Sequence, residues 1–160
     1  MQKAVELGVS RIQPITTSRS VVRLSGERAD KRMRHWQQIV TSACEQCGRN
    51  HLPQVLPLLS LPDWLGEQMT VRKNSHAGVP GNLYFMLAPT AEKGLRDFPE
   101  AATAATLTLL VGPEGGLAPE EEAAARATGF VSLRLGGRIL RTETAALAAV
   151  AALQTLWGDF

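Results

Sequence analysis

The chain has 160 residues, 44% of them hydrophobic, and a formal net charge of +2 at neutral pH. That length suits one compact domain, residues 1–160, burying roughly two-thirds or more of its unfolded surface. No run approaches the roughly 20 apolar residues of a membrane span, and the opening MQKAVELG lacks a signal peptide's apolar centre, so a cytoplasmic chain without membrane contact is expected.

The charge is uneven. Residues 1–50 hold nine Lys/Arg against four Asp/Glu, whereas residues 51–160 hold eight against eleven, which makes the first third the nucleic-acid-facing candidate. Within it, Gln2 to Gly8 reads as a short helix capped by Gly8, and Arg11 to Thr17 as a strand. The SRSVVR segment from Ser18 sets Arg19 and Arg23 beside serine hydroxyls, a group able to hold a phosphate through forked donors.

From Ala29 to Cys47, Met33, Trp36, Val40, Ala43, Cys44 and Cys47 recur at helical spacing, with Lys31, Arg34, His35 and Gln38 on the opposite face. The CEQC pair therefore falls on the apolar side. With no second such pair to complete four ligands, core thiols are expected rather than a metal site. Gly48 ends the helix and leaves Arg49 and Asn50 in a turn, to touch a substrate or merely to cap.

Gln54 to Leu56 reads as a second strand, Leu61 to Met69 as a short helix, and Thr70 to Asn82 as an exposed loop. Leu83 to Leu87, LYFML, has the continuous apolar character of a buried strand and runs into Ala88 and Pro89. Gly94 to Phe98 is a brief helix and Ala101 to Ala105 a connector. Thr106 to Val111 is another buried strand, followed by GPEGG at Gly112 to Gly116 and a helix opening at Pro119 with three glutamates. VSLRL from Val131 alternates as a strand does and leads into LGGRILRTETA from Leu135. The last helix, Thr142 to about Trp157, carries no charge after Glu143 and is apolar nearly all round, so burial against its own sheet and against a partner subunit is expected.

Alternating strands and helices point to an α/β fold with a mostly parallel sheet flanked by helices. In such a sheet, loops at the carboxyl ends of strands bind ligands. Two of these loops are glycine-rich, which lets a ligand approach main-chain groups closely. Neither GxxxxGK[ST] nor GxGxxG is present, and Glu114 and Glu143 lie in or beside the loops, which disfavours a polyphosphate. A cationic ligand with an adenine to bury against Leu135, Ile139 and Leu140, such as S-adenosylmethionine, fits this chemistry; a small sugar or nucleotide stays open.

The residues also carry a resemblance. LLVGPEGGL from Leu109 and LRLGGRILRTETAALAAVAALQ from Leu133, with QKAVELGVSRIQP from Gln2, RSV from Arg19 and EQCGRNHLP from Glu45, closely resemble the SPOUT-class family that methylates N3 of a uridine in bacterial small-subunit (16S) ribosomal RNA. The resemblance implies a C-terminal trefoil knot, S-adenosylmethionine as cofactor, and a homodimer acting on ribosomal RNA or the small ribosomal subunit. By matching motif, the cofactor would meet Leu87, Ala88, Pro89, Gly112, Pro113, Glu114, Gly115, Gly116, Leu135, Gly136, Arg138, Ile139, Leu140, Thr142 and Thr144. Family members usually carry an N-terminal β-barrel RNA-binding domain, and this sequence starts beyond the point where that domain ends. Ala118 departs from the hydroxyl N-cap common in relatives, at a cost of about 1 kcal/mol to the helix start.

Uracil N3 becomes nucleophilic only as its proton leaves, so a cation near the base carbonyls would stabilise the developing charge. Arg141 is the first candidate and Arg138 the second. Glu143, ionised at a helix start, is a weak base, and orienting Arg141 or capping the helix is its ordinary role. Arg11, Arg19, Arg23, Arg49 and Asn50 are candidates to grip RNA, and no metal is required. The competing readings are a SPOUT methyltransferase for another RNA position, a cofactor-binding module without activity, and a purely structural domain that would leave both glycine loops unexplained.

Overall fold

The structure, a computed structural model, describes residues 1–21, 24, 26–74 and 81–160. Its elements in chain order are α1 (Gln2–Glu6), β1 (Arg11–Ile12), β2 (Ile15–Thr16), α2 (Glu27–Cys47), β3 (Gln54–Val55), β4 (Leu59–Ser60), α3 (Leu61–Asn74), β5 (Asn82–Leu87), β6 (Thr106–Leu110), α4 (Pro119–Ala127), β7 (Val131–Leu133) and α5 (Thr142–Trp157). Short 3-10 turns at Leu95–Asp97 and Pro99–Thr103 lie between β5 and β6. Every strand pair among the described residues is parallel, so the chain is α/β with mostly parallel sheets flanked by helices.

The central sheet has the order β6-β5-β7. Side chains of β5 alternate between its faces, as the pleat requires. Tyr84 and Met86 join Trp64 and Leu65 of α3, Ala125 of α4 and Phe130 in one buried cluster. Phe85 points the other way, into a cluster with Leu95, Phe98, Ala101, Leu133 and Leu153 of α5. Both faces are covered, which is why LYFML reads as a continuous apolar run. Each large side chain so buried contributes about 1.5–3 kcal/mol before entropy is counted.

A third cluster, Val5, Val40, Ala43 and Cys44, fixes α1 to α2. Cys44 is buried and Cys47 half-buried against it, as expected of core thiols. Gly48 closes α2 in the left-handed region at φ +73°, and the Arg49 N–H bonds Cys44 C=O at 3.1 Å.

The strand expected over 11–17 is two short pieces. Arg11 pairs with Gln54 and Ile12 with Val55, but Ile15 pairs with Leu59 and Thr16 with Ser60, so the second strand carries one residue more between the two pieces. Pro14 and Pro57 sit in that interval; neither can donate to the ladder, and the register slips there. The Gln13 side chain bridges the gap by donating to Pro57 C=O at 2.6 Å. Further differences are smaller: α3 runs to Asn74, into the expected loop, and the connector at 101–105 largely lies within a 3-10 turn.

Only Ala149 and Leu153 of α5 are fully buried, while Ala148 and Leu156 are exposed. In the chain by itself, α5 is covered on one side. No helix among the described residues is long and apolar enough to cross a membrane.

Candidate functional site

Parallel register brings three loops to one edge. Leu87 of β5 pairs with Leu133 of β7, and Met86 pairs with Leu110 of β6, so all three strands end at the same level. The Ala88 N–H donates to Leu133 C=O at 3.0 Å, and the Arg134 N–H to Lys93 C=O at 2.8 Å, which stitches the loop after β5 to the loop after β7. The sequence-predicted groups Leu87 to Pro89, Gly112 to Gly116 and Leu135 to Thr144 therefore follow neighbouring strand ends.

The glycines do different things. Gly116 donates to Pro113 C=O at 2.8 Å and takes φ +69°, closing a tight turn. At Gly112 the constraint is space, because a Cβ there would lie 3.2 Å from both the Leu117 amide nitrogen and its Cγ. Gly136 takes φ +74°, and a Cβ at Gly136 or Gly137 would meet nothing within 4 Å, so the main chain there is open to approach. Among the described residues, the main chain of Leu135 to Leu140 makes no hydrogen bond. A stretch of unpaired N–H and C=O groups beside half-buried Leu135 and Leu140 can satisfy the polar edge of a planar ring while apolar side chains flank it.

Arg138, Arg141 and Glu143 are exposed and make no side-chain hydrogen bond or ion pair among the described residues. Arg141 is the N-cap residue of α5, its carbonyl accepting from the Ala145 N–H at 2.7 Å. Glu143 stands in the first turn, where unpaired helical N–H groups favour an anion. The two side chains do not pair, which leaves both free to meet a substrate.

A further contact at this edge escaped sequence reasoning. Thr17 to Ser20 forms a turn in which the Ser20 N–H donates to Thr17 C=O at 3.1 Å and the Ser20 hydroxyl accepts from the Thr17 N–H at 2.9 Å. The turn presents Arg19, whose Nη1 donates to Gly115 C=O at 2.7 Å and to Leu117 C=O at 3.3 Å. Beside it, Glu121 of α4 accepts from the Ser18 N–H through Oε1 at 2.7 Å and from the Ala118 N–H through Oε2 at 2.8 Å. Burial pushes the Glu121 carboxyl up, but the hydrogen bonds from Ala118 and Ser18 and the Arg19 charge outweigh it, and the group sits below its ordinary value. Glu121 also answers the missing hydroxyl at Ala118: it supplies the reciprocal half of a capping box, three residues into the helix. That glutamate position was the available signal.

The remaining basic candidates are scattered. The Arg49 Nη1 donates to Val5 C=O at 2.8 Å and to Val9 C=O at 2.9 Å, securing the end of α1. Arg11 and Asn50 are exposed, and Arg23 lies outside the described residues.

The sequence profile of the RNA methyltransferase domain matches residues 1–154. The chain belongs to that family. Among the relatives of this RNA methyltransferase domain, ribosomal RNA small subunit methyltransferase E of Mycobacterium bovis is 36% identical over 156 residues, 98% of this chain and 57% of that protein. The protein of the same name from Buchnera aphidicola is 36% identical over 160 residues, 99% of this chain and 60% of its own. Two solved structures are similar throughout. Ribosomal RNA small subunit methyltransferase E from Neisseria gonorrhoeae, bound to S-adenosyl methionine, superposes with a TM-score of 0.83 at 43% identity over 99% of this chain and 60% of that one. A putative methyltransferase from Legionella pneumophila in complex with S-adenosylmethionine gives 0.85 at 37%, with the same coverage. The chain thus spans about three-fifths of the length of these relatives.

Proposed function

We propose that this chain is the cofactor-binding and catalytic part of an S-adenosylmethionine-dependent methyltransferase that modifies N3 of a uridine in small-subunit ribosomal RNA. The observation that carries the reading is the edge where the loops after β5, β6 and β7 gather, with an unpaired main chain at Leu135 to Leu140. The residues present suit the cofactor. Open glycine backbone and apolar neighbours suit an adenine, and Glu114 and Glu143 suit a sulfonium cation. The reading extends to the cofactor set Leu87 to Pro89, Gly112 to Gly116, Leu135, Gly136, Arg138 to Leu140, Thr142 and Thr144, and to a C-terminal trefoil knot and a homodimer like those the family resemblance implies.

When bound, S-adenosylmethionine supplies an electrophilic methyl group. The work of the chain is to make N3 of the uracil a nucleophile. As the N3–H proton passes to solvent water, Arg141, with Arg138 in support, holds the negative charge that spreads to the carbonyl oxygens. Glu143 serves the start of α5 from its first turn rather than taking the proton. Holding the base in line with the transferring methyl group provides much of the acceleration. Exposed Arg11 and Asn50, with Arg23, and the N–H donors that Arg19 keeps beyond its Nη1 bonds and Arg49 beyond its Nη1 and Nη2 bonds, meet RNA phosphates.

Calorimetric titration with S-adenosylmethionine tests the cofactor half of this reading: saturable one-site binding is expected, and its absence in a folded chain overturns it. Incubation with small subunits lacking the modification, followed by mapping of the methylated atom, tests the other half. A methyl group on any atom other than uracil N3 would replace this assignment with a different RNA site.

A further inference from the structure

The contact between the Thr17–Ser20 turn and the glycine loop is not explained by folding of either segment alone. The two are joined across 96 residues of sequence by Arg19 and Gly115, and across 103 by Ser18 and Glu121. We propose that this turn is a clamp on the loop after β6, with Arg19 and Glu121 as positioning residues that hold Gly115 to Leu117 in the shape that receives the cofactor. The assignment rests on the cofactor reading above for the identity of the ligand, but not for the clamp itself.

Three features support it. The guanidinium group bonds carbonyls and not a carboxylate, so it acts on the path of the main chain. With Gly115 C=O and Leu117 C=O both directed at Arg19, the 115–116 and 117–118 peptide planes have their orientation set from outside the loop. Between them lies Gly116, at φ +69° with its N–H on Pro113 C=O, so the clamp and the turn act on the same stretch of main chain. Secondly, the arm is preorganised. The Ser20 hydroxyl is spent within its own turn, on the Thr17 N–H at 2.9 Å and the Thr17 hydroxyl at 3.0 Å, so the turn carrying Arg19 is rigid before it reaches the loop. Thirdly, Glu121 ties the base of the same turn to the first residue after the loop by using one carboxylate oxygen for each side. Two charged groups thus make one unit of two loops, and ordering either one orders the other. The arginine keeps its Nε and Nη2 donors for a second ligand on the solvent side.

The test compares the wild-type chain with Arg19→Ala, Arg19→Lys and Glu121→Gln by two measures: amide hydrogen exchange over residues 112–118 and 17–21, and calorimetric affinity for S-adenosylmethionine. In Arg19→Ala, exchange over 112–118 is expected to rise about tenfold and affinity to fall about tenfold, with the exchange of β5 unchanged. Lysine, which can still donate to one carbonyl, is expected to recover part of both losses. Glutamine at 121 must turn an NH2 group toward one of two N–H donors, so the same acceleration is expected over both loops. In the wild type, cofactor is expected to slow exchange at 17–21 as well as at 112–118, and Arg19→Ala to abolish only the former. Unchanged exchange and affinity in Arg19→Ala overturn the clamp while leaving the cofactor reading intact. A wild-type chain that binds no S-adenosylmethionine overturns the cofactor reading, and the exchange comparison then decides the clamp alone. If Arg19→Ala does not fold, Glu121→Gln decides: unchanged loop exchange in it overturns the proposal.

Discussion

Glu121 makes a stability contribution that depends on pH in a defined direction. Its folded-state pKa lies below the ordinary value, so the contribution is full above that ordinary value and is lost as pH falls through the lowered one. Urea unfolding midpoints measured on either side of this window should drop more steeply for the wild type than for Glu121→Gln. Equal slopes would show that the carboxylate bonds do not stabilise the fold. Gly112 makes a second prediction at this scale. An added Cβ meets the Leu117 amide nitrogen and Cγ at 3.2 Å, and Leu117 cannot retreat, because its side chain is buried and its carbonyl is bound by Arg19. Gly112→Ala is therefore expected to cost about 1–3 kcal/mol in unfolding free energy. Gly115→Ala, whose Cβ would rest 3.5 Å from Arg19 Cδ, should be near neutral, and the two thermal melts side by side check the contrast. Roles of this kind were hidden in the sequence. Arg19 reads as a phosphate ligand beside serines, and nothing local reveals that its acceptors are carbonyls of a loop far along the chain.

The elements themselves were far more legible. The helix read over Ala29 to Cys47 starts within two residues of the observed α2, and Thr142 to Trp157 is α5 as found. Apolar runs locate β5 and β6 because both are covered on two faces. Short edge pieces fare worse: β4 has only two residues, with Pro57 two positions before it, and its pairing is visible only in three dimensions. Arg49 shows the same limit in the connection between elements. It stands where a turn cation can touch RNA, yet its Nη1 secures α1 through Val5 and Val9 carbonyls. Arg49→Ala should thus lower stability by about 1–3 kcal/mol, as expected for charged donors withdrawn from half-buried acceptors. Chemical denaturation reads this directly, and an unchanged midpoint would return Arg49 to a role in binding alone.

Over the whole molecule, the three strand-end loops were anticipated because the order of strands and helices forces a parallel sheet, and its register then places glycines 112, 116 and 136 along one edge. What the single chain leaves open is the outer side of α5. Ala148 lies there exposed, on a helix with no charged residue after Glu143. If that side is the homodimer contact proposed above, Ala148→Glu should weaken self-association about a hundredfold or more, since it would bury an unpaired carboxylate. Sedimentation at several concentrations checks it; a wild-type chain that stays monomeric throughout sinks the dimer. The same helix also reaches back to the beginning. Gln154 Nε2 donates to Leu7 C=O at 3.0 Å across 147 residues, and Gly8, at φ +90°, passes so close that any side chain there would strike the Gln154 amide. During synthesis, then, the corner after α1 lacks this partner until residue 154 has left the ribosome. Although α2 and Arg49 hold α1 earlier, the corner at Leu7 and Gly8 is closed only once α5 is in place, and it stays open to proteolysis until then.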